Sequence, residues 1–194
     1  MSSLDPRAPH VLDTRELGRR PGTSQRVRRR LPAPEGMVVG LTRVEDGVGV
    51  DVDVLLEAVM EGVLVTVRAQ VPFVGECARC LDDVRGAVDV DAQELYAHPD
   101  LQARRDADDA SDTPLLDGDL LDLEPVLRDA VVLALPGTVL CDPGCPGLCP
   151  RCGARLADDP DHVHTDEVDP RWSALGALAA HSDPPFATPA PEEH

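Results

Sequence analysis

The chain has 194 residues and a formal net charge of −18, with no lysine and, among aromatics, only one tryptophan, one tyrosine and two phenylalanines. That length suits one domain with tails and a proper core, which valine, leucine and alanine must fill. The acidity excludes a generic nucleic-acid binder, whose footprint is basic, and the scarce aromatics exclude a base-stacking platform for single-stranded RNA.

In chain order, residues 1–34 read as a basic N-terminal arm. Residues 1–30 hold eight arginines against three acids, a local charge of +5 that leaves −23 on the remainder. Arg26, Arg28, Arg29 and Arg30 are the densest part, and a short helical turn is expected over His10 to Leu17. The segment Met1-Ser2-Ser3-Leu4-Asp5-Pro6 has neither a basic nor an apolar leader region, and no apolar run approaches about 18 residues. The expectation is a cytoplasmic protein with reduced thiols and no membrane contact.

From residue 35 the pattern turns to β. Met37 to Val44, Val48 to Val59, Val63 to Val74 and Val84 to Tyr96 are valine-rich and partly alternating. Their separators, Glu45-Asp46-Gly47 and Glu61-Gly62, carry turn chemistry suited to tight hairpins. An antiparallel meander follows, with Cys77-Ala78-Arg79-Cys80 at the tip between its third and fourth strands. Residues 100–116 read as an acidic loop, and Leu120 to Leu123 as a short strand. Glu124 to Leu135 is the clearest helix: Pro125 suits its first turn, while Val126, Leu127, Ala130, Val131, Ala134 and Leu135 share one face. Pro136-Gly137 ends it. A short helix is expected over Arg171 to Ala180, and 179–194 reads as a disordered tail. The fold class is α+β: mainly an antiparallel β meander with one long helix, a zinc-knuckle C-terminal segment and a short terminal helix.

The chemistry lies in six cysteines and two histidines. Cys77 and Cys80 form one C-x2-C; Cys141, Cys145, Cys149 and Cys152 follow the helix; His162-Val163-His164 comes next. Zinc takes four tetrahedral N or S ligands, and a C-x2-C turn offers two thiolates to one ion. One partition gives Cys149, Cys152, His162 and His164 a local site, leaving Cys77, Cys80, Cys141 and Cys145 as a second quartet that staples distant parts of the chain. Two others stay open: Cys77/Cys80 with Cys149/Cys152, or Cys141 to Cys152 around a single ion. There is no phosphate loop, nucleophile elbow or H-E-x-x-H helix. Sites rich in thiolate are usually closed and structural, so no catalytic residue is assigned. A metal-dependent nuclease and a zinc-ribbon module in transcription are the rival readings.

Taken together, Cys77 to Leu81, Asp122 to Pro136, Cys141 to Leu156 and Asp169 to Leu175 resemble the YceD family, the large ribosomal RNA subunit accumulation proteins of bacteria and plastids. The likeness spans roughly residues 35–178, read as one zinc-binding domain. It implies a non-enzymatic role in synthesis, processing or stability of 23S ribosomal RNA, and so in building the large ribosomal subunit. In the family pattern a C-x-C often follows the C-P-x-C-G segment, and His162 and His164 fall where it would be, which the resemblance supports as ligands. The implied partner is a large-subunit ribosomal precursor or a basic ribosomal protein, with RNA contact through the N-terminal arginines.

Overall fold

The structure is a computed structural model and describes residues 4–102 and 113–164. The chain divides into two units, Met1–Asp158 and Asp159–His194. In the first, β1 (Val11–Asp13), β2 (Ser24–Pro32), β3 (Val38–Val39), β4 (Thr42–Arg43), β5 (Gly49–Ala58), β6 (Gly62–Glu76) and β7 (Asp83–Ala97) precede a single turn, α1 (Pro99–Gln102). After them come β8 (Leu120–Asp122) and α2 (Glu124–Ala134). Among the described residues strands thus dominate, with one substantial helix, consistent with an α+β protein. The expected terminal helix and tail lie outside the described residues, as does most of the acidic loop.

While β1 and β8 form a separate pair, the six-stranded sheet is hung on β6. One of its edges pairs with β7 along all fifteen residues, from Gly62↔Ala97 to Glu76↔Asp83. Its other edge is shared, by β5 over Val63 to Ala69 and by β4 at Val74 and Gly75. Strand β2 then adds to β5 in antiparallel register. Period-2 alternation sets the faces: Val50, Val52, Val54 and Leu56 of β5, with Val63, Val65, Val67 and Val71 of β6, are all buried. Helix α2 closes this face with Val126, Leu127 and Val131. Its start is held by the Asp122 carboxylate, which accepts the Glu124 N–H at 2.9 Å, and by the Arg128–Glu124 ion pair one turn apart.

Two expectations for the N-terminal stretch are corrected. Val11 to Asp13 is not a helical turn but a strand against β8, because Leu12 and Leu121 can then both be buried. Nor do residues 24–32 form a free arm. Three alternate arginines of β2 reach β5 acids: Arg26 and Arg28 lie 2.9 and 3.0 Å from Asp53, and Arg30 lies 3.0 Å from Asp51. An arginine run reads as a loose arm only while its partners are out of view.

The expected strand over Met37 to Val44 is broken into β3 and β4 by Gly40, whose φ is +56°. This hairpin presses on the end of α2. Thr42 Oγ1 donates to Pro136 O at 2.8 Å, and a Cβ on Gly40 would lie 2.2 Å from Gly137 O. Gly40→Ala therefore meets both left-handed strain and backbone overlap, and should cost about 2 kcal/mol or more in denaturant unfolding. A loss under about 0.5 kcal/mol would show that hairpin and helix end do not meet this closely.

Candidate metal centre

Cys77 to Asp82 is the connection between β6 and β7, closed by hydrogen bonds from Cys77 N–H to Asp82 O (2.8 Å) and Leu81 N–H to Cys77 O (2.9 Å). The segment leaving α2 runs alongside. Leu41 N–H donates to Gly137 O and Glu76 N–H to Leu41 O, while Ala78 N–H donates to Val139 O at 2.9 Å. The bridge Cys77↔Val139 is parallel. The β3–β4 hairpin and the end of α2 thus place Cys141 two residues beyond a point fixed against Cys77. The next turn is shaped by Asp142, whose carboxylate accepts Gly144 N–H and whose carbonyl accepts Cys145 N–H.

Ligand-type atoms of Cys77, Cys80, Cys141 and Cys145 all lie within 4.8 Å of one another. Cys77 and Cys145 Sγ are 3.9 Å apart, and Cys80 and Cys141 Sγ 3.5 Å. A regular tetrahedron with metal–sulfur bonds of about 2.3 Å has edges of about 3.8 Å, so both separations fit one ion. They are far too long for a disulfide, whose sulfurs sit about 2.05 Å apart. Of the sequence partitions, the structure groups Cys77 and Cys80 with Cys141 and Cys145, not with Cys149 and Cys152.

The crowded sulfurs shift one another's protonation. The Cys141 backbone N–H, joined by those of Arg79 and Cys80, pulls the Cys77 thiol down to about 6. Cys80 receives the Asp82 N–H, yet burial and the sulfurs of Cys77, Cys141 and Cys145 outweigh it and push that thiol up to about 12. Cys141 is raised as well: its hydrogen bond to Cys80 lowers it, but the Cys145 sulfur and burial prevail. Amides aimed at sulfur favour thiolates, while crowding forbids several together. A divalent ion removes that conflict.

Cys149 and Cys152 form a second knuckle with the same backbone bonds. Cys149 N–H donates to Ala154 O and Gly153 N–H to Cys149 O, both at 2.8 Å. These repeat the five- and four-residue spacings seen at Cys77. The fifth residue of each knuckle is left-handed, Leu81 at φ 62° and Gly153 at φ 72°. The second knuckle is fastened to the first by Leu148 N–H donating to Arg79 O and by the Arg155–Asp82 ion pair. Arg79 itself donates to Cys145 O at 2.9 Å. Sequence reasoning missed Arg79, Asp82 and Arg155, because exposed charges beside cysteines carry no pattern. In the second unit, His162 and His164 bring their Nε2 atoms within 3.0 Å.

Leu81 occupies a conformation that suits glycine, and its side chain is 57% exposed. Leu81→Gly should leave metal content unchanged and raise stability by about 0.5 kcal/mol, whereas Leu81→Val should lower it by about 1 kcal/mol. Denaturant melts check both. A loss on Leu81→Gly would mean that the leucine side chain, not the turn, secures the knuckle.

Against known proteins, a model of the family described as large ribosomal RNA subunit accumulation protein YceD matches residues 65–179. Uncharacterized proteins of Mycobacterium tuberculosis and Mycobacterium bovis are each 42% identical over 168 residues, covering 87% of this chain and 80% of the relative. One from Mycobacterium leprae is 36% identical over 177 residues, covering 91% and 81%. No solved structure matches. The family match takes in most of β6, all of β7 and α2, and all eight candidate metal ligands, and the chain belongs to the YceD family of large ribosomal RNA subunit accumulation proteins.

Proposed function

We propose that this chain is a non-enzymatic factor in the synthesis, processing or stability of 23S ribosomal RNA, acting in the cytoplasm during large-subunit assembly. The observation that carries this is the family match over residues 65–179. A non-catalytic role is supported by the chemistry of the quartet: four thiolates fill a tetrahedral ion and leave no position for water or substrate. The acidic body, with −23 outside residues 1–30, favours contact with a basic ribosomal protein of the precursor. The β2 arginines are less suited to grip RNA phosphates, since Arg26, Arg28 and Arg30 already hold Asp53 and Asp51. No helix among the described residues is long and apolar enough to cross a membrane.

In this reading two structural zinc ions are bound. Cys77, Cys80, Cys141 and Cys145 hold the first, which ties the β6–β7 connection to the segment after α2. Cys149, Cys152, His162 and His164 hold the second, supported by the C-x2-C-x9-H-x-H spacing and the repeated knuckle bonds. Thiolate-rich tetrahedral ligation selects zinc over magnesium or calcium.

Protein purified without added metal should carry two zinc ions, and His162→Ala one. Cys77→Ser should lower zinc content and destabilise the fold. Elemental analysis finding one ion in the unaltered chain would remove the second site. For function, depletion should lower mature 23S relative to 16S ribosomal RNA, with large-subunit precursors accumulating. A normal ratio of large to small subunits after depletion would defeat the ribosomal reading.

A further inference from the structure

The solvent face of the sheet is ordered in rows that cross the strands. One row runs Arg28, Asp53, Arg68, Asp91, each opposite the next in register. Arg28 and Asp53 approach to 3.0 Å, and Arg68 and Asp91 to 2.9 Å. A second row, two residues along, holds Arg30 against Asp51 at 3.0 Å and Gln70 donating to Asp89 at 3.1 Å. Both rows begin in arginine on β2 and end in aspartate on β7. Asp91 has one cation, on its inner side, and Asp89 has no cation partner among the described residues.

The far side of β7 is a strand edge. Among the described residues, no backbone group pairs with its outer edge between Val84 and Tyr96. The strand is regular through its fifteen pairs with β6 and contains no proline, so neither of two common devices that spoil an edge is present. On the core side, Val84, Val88 and Ala92 are only partly buried. The edge therefore offers unpaired backbone, Asp89 and Asp91 on one face with Arg85 toward its start, and small apolar side chains on the other.

We propose that the outer edge of β7, over Val84 to Gln93, takes an extended segment of a basic protein as an added strand. Basic residues at every second position continue the charge rows beyond Asp89 and Asp91. The residues between them are small and apolar, and continue the Val88 and Ala92 side. Main-chain bonds give affinity and alternate side chains give specificity, as in other strand additions. A chain of −18 also repels its own copies, which works against self-pairing. This inference rests on the reading that the acidic body meets a basic protein, and it says where and in what conformation.

The test uses the full chain and a ten-residue peptide alternating arginine and valine. Binding is read by fluorescence anisotropy, and amide exchange of β7 by NMR. The peptide should protect β7 amides, and Asp89→Asn with Asp91→Asn should weaken binding about tenfold or more. The doubly reversed variant, Asp89→Lys with Asp91→Lys, should instead accept a glutamate–valine peptide. An arginine–valine peptide N-methylated at every residue should fail to bind. The proposal is overturned if the methylated peptide binds equally, since that is bulk charge alone. It is also overturned if β7 protection comes from a uridylate decamer or from raising the protein concentration by itself. None of these failures alters the expected 23S deficit on depletion, so the two readings fail separately.

Discussion

Four sulfurs drawn from two places sixty residues apart cannot share so small a volume as thiolates without a cation, and the rest of the molecule is arranged to bring them there. Cys77, Cys80 and Cys145 are buried, and backbone amides already point at the sulfurs of Cys77 and Cys80. Burial without charge compensation would be costly. The hairpin at Gly40, the end of α2 at Pro136 and Gly137, and the bridge from Cys77 to Val139 all serve one alignment. Structural metal of this kind contributes folding energy directly, because the unfolded chain has no formed site. It would join the sheet to the segment after α2, which otherwise meet through a few backbone bonds.

How much was legible follows from where the determining interactions lie. Strands β5, β6 and β7 and helix α2 are written locally, in valine alternation and in a 3.6-residue apolar face between Pro125 and Pro136, and the structure has them where that pattern puts them. The grouping of the first quartet was reachable by counting ligands. Strand β2 was not, because Ser24–Pro32 has few apolar residues and becomes a strand only by pairing with Asp51 and Asp53 some 25 residues away. Strand β1 depends on β8, across more than a hundred residues. In both cases non-local pairing overrode local propensity. The clasp of Arg79, Asp82 and Arg155 around the knuckles exists only in three dimensions.

The charge of the chain also changes meaning once folded. Three arginines of its basic start, Arg26, Arg28 and Arg30, are paired with the sheet's own acids, and the net charge of the chain is negative. Exposed pairs such as Arg28–Asp53 contribute little individually to stability. Their regular order gives the sheet a polarity instead, basic at β2 and acidic at β7. In the proposed reading, an acidic surface of this kind would engage basic protein in preference to RNA.

The account depends most on metal at Cys77, Cys80, Cys141 and Cys145, and X-ray absorption at the zinc edge addresses it directly. Two filled sites predict an average of three sulfurs at about 2.3 Å and one nitrogen at about 2.0 Å per zinc. Cys149→Ser, by removing the mixed site, should shift this to four sulfurs. Stripping the remaining ion should then lower the unfolding midpoint by at least about 10 °C. A protein without zinc, or one whose Cys149→Ser variant shows fewer than four sulfurs per ion and an unchanged midpoint after chelation, would contradict the account.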